Sequence, residues 1–161
     1  MKYAFDIGGT KIEFGVFDDH GTILHRHKVA TPLEDRDSFI NAILDLVLKA
    51  DQTFAGDGIA ALPPVGISFA GGLDPESGAV ISANVPPIKG WPIGAGLSAV
   101  LHRPVRVEND ADCFALAEAR QGAGENHRTV FAIILGTGVG GGIVVDGQFI
   151  GGRSGIRGEW G

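Results

Sequence analysis

Two glycine clusters offer the clearest chemistry in this chain. Gly8-Gly9-Thr10-Lys11 follows the short apolar run Tyr3 to Ile7, and Gly136-Thr137-Gly138-Val139-Gly140-Gly141-Gly142 follows Val130 to Leu135. Each cluster is bounded by alternating or continuous apolar residues of strand length, so each reads as a tight turn between two strands. Turns of this kind present successive backbone N–H groups and suit the close approach of an anion such as a phosphate. Carboxylates stand beside them: Asp6 ends the first apolar run, and Glu108-Asn109-Asp110 joins a strand to a helix.

Competing readings of the glycines fail on context. Gly136 to Gly141 satisfies G-x-G-x-x-G, but that fingerprint must open a helix, and Ile143-Val144-Val145-Asp146-Gly147 is a strand followed by a turn. Lys11 follows glycines as in a P-loop, yet the G-x-x-x-x-G-K spacing is absent. The two turns begin at residues 8 and 136, about 130 residues apart, and each is followed by a second strand and an Asp-containing turn. Similarity at that separation points to duplication, with one glycine hairpin from each copy facing a shared cleft.

The elements that position these residues follow from periodicity. Three strands, with turns at Gly8-Gly9-Thr10 and Asp18 to Gly21, occupy the first thirty residues and pair antiparallel through short connections. Phe39, Ile43, Leu46, Val47 and Ala50 mark an amphipathic helix capped by Asp35 or Asp37. Val65 to Ala70 reads as a buried strand, Gly94 to His102 as a short helix and Val105 to Glu108 as another strand. Asn109 to Gln121 is a helix capped by Asn109 and ended by Gly122. Three antiparallel strands, helix, strand, helix, strand, helix is the order of an α/β, ribonuclease-H-like (actin-like ATPase) domain with a mixed sheet. Residues 1–122 are expected to form that domain, and residues 123–161 to begin a second, similar one that is truncated.

Bulk composition narrows the partners. The formal charge of −6 and the lack of a Lys/Arg stripe disfavour nucleic acid as a partner. The glycines within Thr129 to Val145 make that apolar stretch a poor membrane span. A single cysteine, Cys113, excludes an internal disulfide and fits a reducing, cytoplasmic setting; it reads as a core thiol. The exposed edges of an unfinished second domain favour a homo-oligomer, most simply a dimer.

Asp6-Ile7-Gly8-Gly9-Thr10-Lys11, Glu108-Asn109-Asp110-Ala111-Asp112, Leu135 to Gly142 and Gly158-Glu159-Trp160-Gly161 occur in the order found in the ROK family of repressors, open reading frames and kinases. The resemblance extends over essentially the whole chain. Ser82-Ala83-Asn84-Val85-Pro86 and Cys113 to Glu118 look most like the family's bacterial N-acetyl-D-glucosamine kinases. It implies transfer of a phosphoryl group from ATP, with Mg²⁺, to the 6-hydroxyl of a hexose or N-acetylhexosamine. Asp110 is implied as the catalytic base, where the start of a helix also favours negative charge. Asn84, Asn109 and Glu159, with Gly71 and Gly72, are the implied sugar contacts. Gly8, Gly9, Thr10 and Lys11 are implied as the first phosphate loop and Gly136, Thr137, Gly138 and Gly140 as the second, with Asp6 orienting Mg²⁺ through water.

Two departures accompany the resemblance. Family members run to roughly twice this length, and the histidine and cysteines that hold a structural zinc in many of them fall beyond Gly161, so zinc is expected only in a full-length protein. The family's repressors carry a DNA-binding module ahead of the first glycine motif, whereas five residues precede Asp6 here. The alternatives left open are a non-catalytic sugar-binding fragment and a glucokinase- or fructokinase-type member.

Overall fold

The computed structural model describes residues 1–55, 62–135 and 139–150. Three strands open it: β1 (Lys2–Ile7), β2 (Lys11–Phe17) and β3 (Ile23–Ala30). Helix α1 (Arg36–Ala50) follows and continues into a π-helical turn, Asp51–Ala55. Strands β4 (Val65–Phe69), β5 (Gly71–Leu73) and β6 (Val80–Ala83) lead to helix α2 (Ile93–Leu101) and strand β7 (Val105–Asn109). Helix α3 (Asp110–Gln121) then precedes β8 (Thr129–Leu135), β9 (Val139–Val145) and β10 (Gln148–Phe149).

The main sheet has the order β3-β2-β1-β4-β7. β1, β2 and β3 pair antiparallel, whereas β4 joins β1, and β7 joins β4, in parallel. This is the mixed, ribonuclease-H-like sheet expected from the element order. Alternation decides which side is covered. Tyr3, Phe5 and Ile7, together with Val65, Ile67 and Phe69, are at most 3% exposed and face the core. Helix α1 lays Phe39, Ile43 and Val47 over them, and α2 adds Ile93 and Leu97, all fully buried. Asp35 caps α1, its carboxylate accepting from the Ser38 N–H at 2.7 Å.

A second, smaller sheet has the order β10-β9-β8, which repeats the β3-β2-β1 arrangement of the first unit. Its core is separate: Ala132 and Val144 pack on Ala115 of α3. Gly142 explains how the helix comes so close. A Cβ at that position would lie 2.6 Å from the Ala111 carbonyl oxygen and 2.7 Å from the Ala115 Cβ, so only glycine lets β9 rest on the first turns of α3.

One buried ion pair ties the first unit together. Arg103, 6% exposed, donates from both terminal nitrogens to the Asp51 carboxylate, at 3.0 and 2.5 Å. Asp51 also accepts the Tyr3 hydroxyl at 3.0 Å, and the Arg103 guanidinium lies 5.8 Å from the Tyr3 ring centre. The π-helical turn, β1 and the α2–β7 connection are joined by these contacts. Burial, first, and the neighbouring Asp51 carboxylate together push the Tyr3 hydroxyl far above its ordinary pKa. Removing one member of such a pair strands the other charge. Arg103→Met is therefore expected to lower the free energy of unfolding by about 3–5 kcal/mol, and Arg103→Met with Asp51→Leu by clearly less, in chemical denaturation.

Candidate active site

Parallel pairing sets the site. Asp6 of β1, Ser68 of β4 and Glu108 of β7 are Cα partners across the ladder, one residue before the carboxyl ends of β1 and β4. Alternation turns this row away from the face that buries Ile7 and Phe69. Crevices outside the carboxyl ends of parallel strands are the ordinary location of ligand sites in such sheets.

The first glycine turn closes β1 onto β2. The Gly8 N–H donates to the Lys11 carbonyl at 3.0 Å, leaving Gly9 and Thr10 at the tip. Thr31 clamps the turn from the end of β3. Its hydroxyl donates to the Gly8 carbonyl at 2.7 Å, and its N–H donates to the Thr10 carbonyl at 3.2 Å. Nothing in the sequence marks Thr31 for this role: a Thr-Pro pair gives no sign that its hydroxyl will hold a turn 23 residues earlier.

Strands β5 and β6 form a hairpin that the sequence did not disclose, pairing Gly71 with Ala83 and Gly72 with Ser82. The hairpin carries Asn84 back to the glycine turn. A Cβ on Gly9 would lie 2.8 Å from the Asn84 Cβ and 2.9 Å from the Asn84 carbonyl oxygen. Asn109 reaches the same hairpin from β7, its Nδ2 donating to the Gly71 carbonyl at 3.2 Å. The Asn109 Oδ1 caps α3 by accepting the Asp112 N–H at 3.1 Å. An amide holds two N–H groups and two lone pairs, so one of each remains after these bonds.

Asp110 is the first residue of α3, and its Oδ1 accepts the Ala111 N–H at 2.9 Å. It lies near enough to Asp6 for the two carboxylates to repel. Enclosure at the strand end is the larger cause that raises the Asp6 pKa; Asp110 and then Glu13 add to it, while the Ser68 hydroxyl and Lys11 act the other way. Cys113, one turn into α3, faces the same row. Burial, then Glu108, pushes its thiol up to about 11, which leaves it protonated and unreactive at neutral pH.

Asp6, Gly8, Gly9, Thr10, Lys11, Gly71, Gly72, Asn84, Asn109 and Asp110 are thus gathered around the carboxyl ends of β1, β4 and β7 and the start of α3. Gly140 sits apart from them in sequence but arrives through β9, whose backbone abuts α3 two residues later at Gly142. Gly136, Thr137, Gly138 and Glu159 lie outside the described residues. Among the described residues no three His, Cys, Asp or Glu side chains form a metal cage, and no helix is long and apolar enough to cross a membrane. A hard divalent cation needs no such cage: Mg²⁺ is usually held by one or two carboxylates plus the phosphates of its nucleotide. The crowded Asp6 carboxylate beside Asp110 fits that donor set.

The ROK family model matches residues 2–161. N-acetyl-D-glucosamine kinase of Escherichia coli O139:H28 is 46% identical over 161 residues, covering 100% of this chain and 52% of that protein. The counterpart from Citrobacter koseri is 47% identical with the same coverage. A ROK family glucokinase from Streptomyces griseus, solved in complex with glucose and AMPPNP, superposes with a TM-score of 0.78 at 39% identity, over 98% of this chain and 48% of that one. The chain spans about half the length of the curated relatives it matches.

The crowding at Asp6 carries a stability signature. Below the unfolded carboxylate value both states hold the proton and nothing is lost. As pH rises through the raised native value, the folded protein must give up a proton that the unfolded chain surrendered earlier, so stability falls. Asp6→Asn is expected to raise the thermal midpoint of the ligand-free protein at pH 7 and to leave it unchanged at pH 3, in paired calorimetric scans.

Proposed function

The chain belongs to the ROK family, and on that premise we propose that it carries the sugar and phosphate-turn side of an ATP-dependent hexose kinase site. The observation that carries this reading is the meeting of Asp110, at the start of α3, with Asp6 beside the Gly8–Lys11 turn. Phosphoryl transfer to an alcohol asks for a proton acceptor at the hydroxyl, a cradle for the phosphates and groups that orient the acceptor. Each has a counterpart here. The Asp110 Oδ1 is engaged by the Ala111 N–H, which fixes the carboxylate and leaves its second oxygen to accept the hydroxyl proton. The sugar oxygen then bonds to the γ-phosphorus as the bridging oxygen departs with ADP.

The Gly8–Lys11 turn, clamped by Thr31, is assigned to the phosphates, together with Gly136, Thr137, Gly138 and Gly140 of the second hairpin. Asp6 is assigned to Mg²⁺, which when bound neutralises charge developing on the transferred phosphoryl group. Asn84 and Asn109, on either side of the Gly71-Gly72 hairpin, are assigned to the sugar hydroxyls, with Glu159 as a further contact. Asn109 retains one donor and one acceptor, a pairing suited to adjacent hydroxyls on a hexose ring. Similarity to N-acetyl-D-glucosamine kinases over the whole chain supports an N-acetylhexosamine, and N-acetyl-D-glucosamine first, as the acceptor. The division into units at residue 122, a dimeric assembly and a cytoplasmic location belong to the same proposal.

Tested on a hexose panel in the full-length protein, Asp110→Asn is expected to reduce kcat by about 10²–10⁴-fold. The sugar dissociation constant should stay within about threefold, which is about 0.65 kcal/mol. Undiminished turnover in this variant would remove Asp110 from the role of base.

A further inference from the structure

The two glycines of the first turn are not equivalent. A Cβ on Gly8 would meet only the Lys11 carbonyl oxygen, at an ordinary 3.6 Å, whereas one on Gly9 would be driven into Asn84 at 2.8 and 2.9 Å. Conformation does not explain the glycine at position 9. Its φ is not positive, unlike those of Gly21, Gly78, Gly90 and Gly147, so an L-residue could adopt its backbone. What position 9 lacks is room, and the missing room is filled by a residue of the sugar side.

Neither partner can easily retreat. Thr31 holds the turn at both Gly8 and Thr10. Asn84 is fixed from behind because Ala83 pairs with Gly71 and Val85 is 1% exposed in the core. One of the two close contacts is to Asn84 backbone, which rotamer change cannot relieve.

We propose that Gly9 is a positioning residue for the sugar: by lacking a side chain it lets Asn84 seat against the phosphate turn, so the turn sets where the Asn84 amide meets the hexose. The inference rests on the kinase reading above and extends it, since phosphate-loop glycines are ordinarily explained by the tight turn, by approach to the anion and by local packing. Here the same residue couples the two substrates through direct packing. A displaced Asn84 loses its hydrogen bond to a sugar hydroxyl, and a neutral bond of that kind is worth about three- to tenfold in affinity.

The test is hexose binding by the full-length protein in the absence of nucleotide, measured calorimetrically with N-acetyl-D-glucosamine and a hexose panel as probes. Gly9→Ala is expected to weaken binding about three- to tenfold, and the loss should vanish in an Asn84→Ala background, because both changes remove the same contact. Unaltered sugar affinity in Gly9→Ala, or losses that multiply in the double variant, would overturn the inference and leave the kinase reading intact. Failure of the wild-type protein to bind any hexose would instead overturn the kinase reading, and this inference with it. Hydrogen exchange on the wild type gives an answer that depends on no variant folding. Hexose alone should slow exchange at the Gly9 and Thr10 amides; no slowing there, with slowing at Gly71 and Asn109, would also overturn it.

Discussion

The Asn109 amide ties together three neighbouring parts of the molecule. Its oxygen caps α3 by way of the Asp112 N–H, its nitrogen holds the Gly71 carbonyl of the β5–β6 hairpin, and its backbone ends β7. The direction in which α3 leaves the sheet, the seat of the hairpin and the position of Asp110 are set together at this one side chain. A carboxylate next in sequence to such a fixed point inherits its placement. That economy explains how a short strand-to-helix junction can supply both a cap and a reacting group.

Charge is arranged around this point at some expense to stability. Asp6 and Asp110 come from elements distant in sequence and meet where the sheet ends; burial there, and then the Asp110 charge, raise the Asp6 pKa. A fold selected only for stability would place a neutral side chain there. Crowded carboxylates at the mouth of a cleft make sense when a cation or a transferring proton relieves them. The buried Arg103–Asp51 pair makes the contrast plain: there opposite charges meet with two hydrogen bonds and a packed aromatic ring, far from the site, and serve to hold elements in place.

Much of this arrangement could be read from the sequence. Alternation at Ile12, Phe14 and Val16 and helical spacing from Phe39 to Ala50 are strong local signals, and the observed β2 and α1 follow them. The repeated strand order was legible because glycines separate both strand pairs in the sequence, and β10-β9-β8 repeats β3-β2-β1. Asp6 and Asp110 could be placed at strand and helix ends, and the order of elements brought them to one edge. The β5–β6 hairpin was not legible: Gly71-Gly72 carries little strand propensity, and its partner Val80 to Ala83 is too short for alternation to register. Thr31, Ser68 and the Gly9–Asn84 contact were hidden for a different reason. Each depends on side chains brought together across strands or turns, and no spacing along the chain encodes them. Nor did the glycines of β9 announce that Gly142 is where a strand must rest on a helix.

On the proposed reading, one cleft at the carboxyl ends of β1, β4 and β7 and the start of α3 receives both the phosphates and the hexose. Paramagnetic broadening by Mn²⁺ added with AMPPNP to the isotope-labelled full-length protein, in the presence of hexose, tests it most directly. Amide signals of Asp6 to Lys11 and of Asn109 to Ala111 should be lost first, while those of Lys2, Val65 and Val105, at the opposite ends of β1, β4 and β7, persist. Broadening centred on those opposite ends, or spread evenly over the sheet, would contradict it.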